Sequence, residues 1–169
     1  MKQFHELSLD SLKENPFQMI GSQWMLITAG NQDKLNTMTA SWGGLGVMFN
    51  KQVAYIVLRP QRYTKEFVDR EETFSLSFLP NSYKKVQGYL GSVSGRDEDK
   101  ISKSGLSVAF YEGTPYFEES QYVMICRKKL VQPLEGSAIL DDKLRSDFYP
   151  GEDYHVLYIC EITTLLQED

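Results

Sequence analysis

VAYIVLRPQRYTKEF, residues 53–67, is the stretch that decides the fold class. Val53 to Leu58 is apolar on both faces and rich in β-branched residues, so it reads as a strand buried on both sides. Arg59 and Pro60 end it, because proline has no N–H for a sheet ladder and fixes its own φ. Thr64 then stands where it can cap a helix, with Glu66 in the first turn, favourable to the helix dipole, and Phe67 turned to the core. A buried strand, a stiff turn and a short helix imply a sheet whose helices are accessories.

The flanking sequence agrees. Trp24, Leu26 and Thr28 alternate with Met25, Ile27 and Ala29, and Phe74, Leu76 and Phe78 alternate with Ser75 and Ser77; both read as strands beside the first. Tyr122–Val131 and Tyr154–Leu166 are longer runs of Val, Ile, Tyr and Thr and read as long barrel strands. A second helix is expected from a Ser82 cap through Tyr83, Val86 and Leu90, with Gly91 as its stop. A short turn follows Asp97, holding Lys100 and Ile101 and ending at Gly105. Near the start, Asp10 is expected to cap a turn that Pro16 stops, and Gly43–Gly46 reads as a tight turn. Strands not separated by regular helices predict a mainly β fold with a few short helices, a closed or partly open antiparallel barrel. A doubly wound parallel sheet is disfavoured.

The chain has 169 residues, 41% hydrophobic and 24% charged, which suits one domain over residues 1–169 with its own core. Its net charge of −5 and pI near 5.1 leave no general electrostatic case for nucleic acid, so any phosphate must be met locally. The N-terminal MKQFHELSLDSLKENPF lacks the apolar run of a secretory signal, and no window approaches the length of a membrane helix. A soluble, cytoplasmic protein is expected. Cys126 and Cys160 sit in apolar runs and read as buried structural thiols. With His5 and His155 they show no zinc-ligand spacing, and no nucleophile elbow or phosphate-loop motif occurs.

Three segments remain as carriers of chemistry. In NTMTASW, alternation puts Asn36, Met38, Ala40 and Trp42 on one side and Thr37, Thr39 and Ser41 on the other. A planar heterocycle such as isoalloxazine needs an apolar surface and backbone polar groups along its edge, and such a strand offers both; an ordinary strand would look the same. In RPQRYTKEF, Arg59 and Arg62 bracket a turn that leads into a helix N-terminus, a setting for an anion or for two solvated arginines. SGRDEDK, residues 94–100, combines Ser94 and Gly95 with Arg96 and Lys100, and also reads as a solvated acidic loop. His155 lies beside Tyr154 in the last long strand, facing a pocket or solvent, with Glu161 expected on the same face.

Taken together and in order, these segments resemble the flavin reductase-like family, in particular its flavoredoxin branch. The resemblance runs through WMLITAG (24–30), NTMTASWGGLG (36–46), VLRPQRYTKEF (57–67), FSLSFLP (74–80), YKKVQGYLGSVSGRDEDK (83–100) and HVLYICEI (155–162). It implies an FMN-binding split β-barrel of antiparallel Greek-key type. It further implies that Asn36, Met38, Thr39, Ala40, Ser41 and Trp42 line the isoalloxazine and ribityl chain. Arg59, Arg62, Tyr63 and Thr64 would continue around the ribityl and phosphate end, with Gly95, Arg96 and Lys100 completing the phosphate site. His155 becomes the candidate catalytic residue, touching a nicotinamide. A homodimer with the flavin near the interface is implied, so that some of these residues serve the partner's cofactor. Two residues depart from the pattern: Gln61 stands where a small serine is common, and Cys160 where glycine usually precedes Glu-Ile.

The flavin would carry the electrons while the protein sets position, potential and access. One implied activity is an NAD(P)H-dependent flavin reductase, with NADH or NADPH giving hydride to FMN. Another is an FMN electron carrier with a redox protein partner and no nicotinamide site, and a third is a barrel that holds some other ligand without redox work.

Overall fold

The structure, a computed structural model, describes residues 3–169. Strand β1 (Phe4–Leu7) is followed by a short helix α1 (Pro16–Gln18) that runs on as a π-helical turn, Met19–Gln23. Next come β2 (Met25–Gly30), β3 (Leu35–Ala40), β4 (Gly43–Met48) and β5 (Lys51–Leu58). Helix α2 (Tyr63–Arg70), strand β6 (Thr73–Phe78), and helices α3 (Lys84–Ser92) and α4 (Lys100–Ser104) lead to the small hairpin β7 (Val108–Tyr111) and β8 (Thr114–Phe117). The long strand β9 (Tyr122–Pro133), helix α5 (Asp142–Phe148) and the long strand β10 (Val156–Glu168) complete the chain.

The main sheet runs in the order β3-β2-β6-β9-β10-β5-β4, all neighbours antiparallel, with β1 added on β10. Its two end strands, β3 and β4, are consecutive in the chain and joined only by Ser41 and Trp42. Such a link spans at most about 11 Å. The sheet therefore curls until its edges nearly meet, yet β3 and β4 do not pair and the barrel stays open. This split is the feature that positions the site.

Alternation along the strands sorts the side chains. Met25, Ile27 and Ala29 of β2, Ala54, Ile56 and Leu58 of β5, and Phe74, Leu76 and Phe78 of β6 point into one core, joined by Phe67 and Val68 of α2. Leu26 of β2 points the other way, into a second core with Leu79, Leu90, Leu106 and Phe117 beneath α3, α4 and the small hairpin. Ser75 and Ser77 lie on that outer side too, where Ser75 donates to the Pro115 carbonyl at 2.6 Å.

Several sequence expectations change. The strands buried on both faces are β2 and β6; β5 instead leaves Tyr55 43% exposed, because it lies next to the sheet's edge. Gly43–Gly46 is not a turn but the start of β4, with Gly44 paired opposite Tyr55. A Cβ on Gly44 would come within 2.2 Å of the Tyr55 ring, so glycine lets that ring lie across the edge strand. The turn falls at Phe49 and Asn50, both left-handed, as a tight antiparallel hairpin requires.

Thr64 is not the cap of α2. Arg62 occupies that position, and Thr64 sits inside the first turn, accepting from Asn36 Nδ2 at 2.9 Å. Ser82 does not cap α3, which follows a 3-10 turn at Asn81–Tyr83. Gly91 lies within α3 rather than ending it, and glycine there serves close approach, since a Cβ would stand 3.1 Å from Thr39 Cβ. Pro16 opens α1 behind an Asn15 cap instead of stopping a turn, since the first helical position needs no N–H. Glu161 pairs with Lys51 at 2.6 Å and Lys129 at 2.9 Å, away from His155. Gly105 does end α4 in the left-handed conformation. Among the described residues, no helix is long and apolar enough to cross a membrane.

Candidate functional site

Strand β3 pairs only with β2, so its other edge offers free backbone donors and acceptors. Along this edge a cavity of about 200 Å³ opens between Met38, Thr39, Ala40, Ser41 and Trp42 on one side and Val57, Arg59, Arg62, Phe148 and His155 on the other. A larger cavity of about 750 Å³ adjoins it, sharing Ser41, Trp42 and Val57 and reaching Phe17 and Tyr55. Trp42 lines both. Its ring meets Phe148 edge-on at 5.2 Å and lies tilted against His155 at 5.2 Å.

Most residues expected to surround the ring are thus brought together. Those expected at the phosphate end divide between two sides. A third cavity of about 390 Å³ is lined by Lys34, Asn36, Tyr63, Gly95 and Lys100 among others. Asn36 and Thr64 are buried and bonded to each other, forming part of the wall between β3 and α2. Gly95 packs on that wall so closely that a Cβ would reach Asn36 Oδ1 at 2.2 Å. Arg96 lies over the Tyr63 ring at 4.5 Å and is committed to Glu66 and the Gln61 carbonyl.

The cations differ in their partners. Arg59 Nη1 meets Asp153 Oδ2 at 2.5 Å, Nη2 donates to the Phe148 carbonyl at 2.7 Å, and the guanidinium covers the Tyr149 ring. Arg62 donates to the Gly91 carbonyl at 3.1 Å. Lys100 is 4% exposed and donates to the carbonyls of Leu90 and Val93, each at 2.8 Å. Both therefore converge on the C-terminal carbonyls of α3, the negative end of its dipole. Among the described residues neither forms an ion pair with a carboxylate. Burial, with Arg62 adding to it, pushes the Lys100 ammonium down to about 8.

His155 precedes β10 and is 8% exposed. Its Nδ1 lies 2.7 Å from the Tyr149 hydroxyl, and burial followed by the nearby Arg59 charge lowers its pKa to about 4. At neutral pH the imidazole is uncharged. Phe148, Tyr149 and Asp153 were not singled out from sequence. The signal was there in DDKLRSDFYPG: Asp141 caps α5 by accepting from Lys143 and Leu144, and proline and glycine follow the helix.

A family model described as "Flavin reductase like domain" matches residues 17–169. This chain belongs to the flavin reductase-like domain family. Among solved structures, an FMN-binding domain of a flavin reductases-like enzyme from Shewanella baltica aligns with 99% of this chain and 78% of its own, at 16% identity and a TM-score of 0.70. A flavoredoxin from Methanosarcina acetivorans aligns over 87% of this chain and 69% of its own, at 24% identity and a TM-score of 0.67. The flavoredoxin of Desulfovibrio vulgaris gives 98% and 77% coverage, 21% identity and a TM-score of 0.67. No curated protein matches this chain.

The two departures from the family pattern have local explanations in this flavin reductase-like chain. Gln61 reaches Asp153 Oδ2 at 2.7 Å and joins the Arg59 ion pair. Cys160 is fully buried beside a register shift between β9 and β10, and burial raises its thiol to about 12. It is packing, not a reactive thiolate.

Proposed function

We propose that this protein binds FMN at the split between β3 and β4 and works as an NAD(P)H-dependent flavin reductase-type oxidoreductase. The observation that carries the reading is Arg62, which lines the cavity at the split and bonds only the Gly91 carbonyl, with Lys100 buried behind it on the Leu90 and Val93 carbonyls and, among the described residues, no carboxylate partner for either. A buried ammonium beside an exposed guanidinium is costly, and a dianionic phosphate beside them relieves that cost. The residues present fit the rest of the group. The free edge of β3 offers N–H and C=O groups to the polar rim of a flat heterocycle, and Met38, Ala40, Trp42 and Val57 offer apolar surface. Together the adjoining cavities, about 200 and 750 Å³, fall within the range of cofactor sites.

FMN, when bound, supplies the electron-accepting chemistry; the chain supplies position and exclusion of water. Trp42 and Phe148 cover the cavity, and His155 presents a neutral ring to it. In this reading the chain acts as a homodimer in the cytoplasm. Phe17, Val47, Phe49, Tyr55 and Phe148, exposed around the split, supply an apolar surface for a second copy. The two thiols are free and buried, as in a reducing compartment.

The test begins with colour and fluorescence: the purified chain should be yellow or quench added FMN. Failure of both ends every flavin reading and favours a barrel holding another ligand. Anaerobic mixing with NADH and NADPH should then bleach the flavin within turnover times. Bleaching only when a reduced protein donor is added identifies an electron carrier instead. Sedimentation should give the mass of two chains, and a single-chain mass removes the dimer from the proposal.

A further inference from the structure

Two atoms beside the cavity define a hydrogen-bond relay that the activity above does not by itself require. Tyr149 is 7% exposed and His155 8%, so the contact between the phenol and Nδ1 is shielded from water. Tyr149 is held in place by the Arg59 guanidinium 5.1 Å from its ring centre, by Tyr154 at 5.0 Å, and by its backbone N–H donating to the Arg145 carbonyl at 2.9 Å. Burial raises the phenol's pKa, with the Arg59 charge and then the His155 backbone opposing it. Among the described residues Nδ1 is the only acceptor within reach of the phenol's proton, and a buried hydroxyl keeps its proton on an acceptor. A neutral imidazole that accepts at Nδ1 carries its proton on Nε2. Among the described residues no group accepts from Nε2, and the ring lines the cavity beside Trp42.

We propose that Tyr149 is a positioning residue that locks His155 in the Nε2–H tautomer and aims that N–H into the cavity as a hydrogen-bond donor. The ligand it selects is a flat molecule carrying a carbonyl oxygen, stacked within reach of Trp42. His155 is then a specificity contact and not a proton donor to the reaction. Charged groups face this ring from both sides, Arg59 and Arg62 opposing its protonation and Asp153 favouring it. The link to nicotinamide, whose carboxamide is such a carbonyl, rests on the reductase reading; the tautomer does not.

The chain has only two histidines, His5 and His155, so long-range nitrogen–proton NMR of histidine-labelled protein is directly readable, with His5→Gln assigning the signals. The expected pattern is an unprotonated Nδ1 and a protonated Nε2 on His155, unchanged from pH 8 to 5. Tyr149→Phe should give a mixture of tautomers. A protonated Nδ1 in the unaltered chain, or a Tyr149→Phe spectrum identical to it, overturns the proposal. Because that replacement removes one oxygen, circular dichroism should show it folded; should it unfold, the spectrum of the unaltered chain alone still decides.

The kinetic arm is separate. Tyr149→Phe should raise KM for the nicotinamide about tenfold, leave kcat within about twofold and leave FMN affinity unchanged. His155→Gln, which restores a donor, should recover more of the lost KM than His155→Leu; equal behaviour of the two overturns the donor role. A chain that shows the expected tautomer but binds no FMN keeps the lock and refutes the reductase, so the two failures are distinguishable.

Discussion

Arg59 and Arg62 share one proline-stiffened turn, yet the fold uses them in opposite ways. Arg59 is matched: Asp153 neutralises it, Gln61 braces the carboxylate, and the Phe148 carbonyl and Tyr149 ring occupy its remaining faces. Arg62 is unmatched and shares the end of α3 with Lys100, whose ammonium is destabilised partly by Arg62 itself. A cation with a carboxylate is a fastener, here tying the segment after α5 to the turn after β5. A pair of cations on carbonyl oxygens alone still has charge to offer an anion, as the proposed phosphate site requires, because carbonyl dipoles solvate charge without cancelling it.

The largest effect should come from removing the unmatched pair. Arg62→Ala and Lys100→Met should each weaken FMN by about one to two orders of magnitude, the worth of a charge-assisted contact of about 1.5–3 kcal/mol. Riboflavin, lacking the phosphate, should lose little. Calorimetric titration of both ligands decides: equal losses for the two would place the phosphate elsewhere. Lys100→Met also strips two carbonyls of their donor, so its riboflavin titration doubles as the control for disturbance of the site.

The next effect uses pH in place of mutation. With the Lys100 ammonium lowered to about 8, the free chain loses this charge as pH rises through that value, while bound phosphate holds it. FMN affinity should therefore fall by about tenfold between pH 7 and pH 9.5, with proton uptake on binding near pH 8.5, and riboflavin should show neither. A flat FMN profile would mean that Lys100 is committed wholly to the α3 carbonyls.

Much of this comparison was readable in the residues, and the part that was not has a physical reason. Apolar alternation in β2 and β6, and long runs rich in Val, Ile, Tyr and Thr in β9 and β10, revealed the strands because burial is a repeating demand on side chains. The clustering of NTMTASW with RPQRYTKEF at one edge followed from their order and family resemblance. Hidden were the glycines: Gly44 and Gly91 read as turn and stop, but they serve close approach by Tyr55 and Thr39, a long-range demand with no local pattern. Thr64 read as a cap because threonine suits one; its partner Asn36 lies on another strand. Lys100 was expected at the phosphate, and its hold on the Leu90 and Val93 carbonyls shows only once α3 and α4 are packed. Helix α5, short and mostly exposed, buries too little to leave an amphipathic signature.

A third outcome concerns the matched side, through His155. Its folded-state pKa of about 4 lies below the usual histidine value. Between pH 4 and 6.5 the unfolded chain therefore binds more protons than the folded one, so this residue's contribution is full above about 6.5 and is lost as pH falls through that window. Denaturant unfolding at pH 7 and pH 5 should show the native chain losing on the order of 1 kcal/mol more than His155→Gln. No difference would place the imidazole in contact with water and loosen the Arg59 side as a whole.

The smallest effect is the most discriminating for the comparison. Asp153→Asn keeps the size of the side chain and its bond to Gln61 while removing the charge that matches Arg59. If Arg59 is a fastener, FMN affinity should stay within about threefold, since the half-buried ion pair holds the turn and not the ligand, and the guanidinium keeps the Phe148 carbonyl and the Tyr149 ring. If the matching is what keeps Arg59 from acting as a phosphate ligand, the freed cation should instead strengthen FMN relative to riboflavin. The ratio of the two affinities in Asp153→Asn thus reports whether the turn after β5 holds one anion-binding arginine or two.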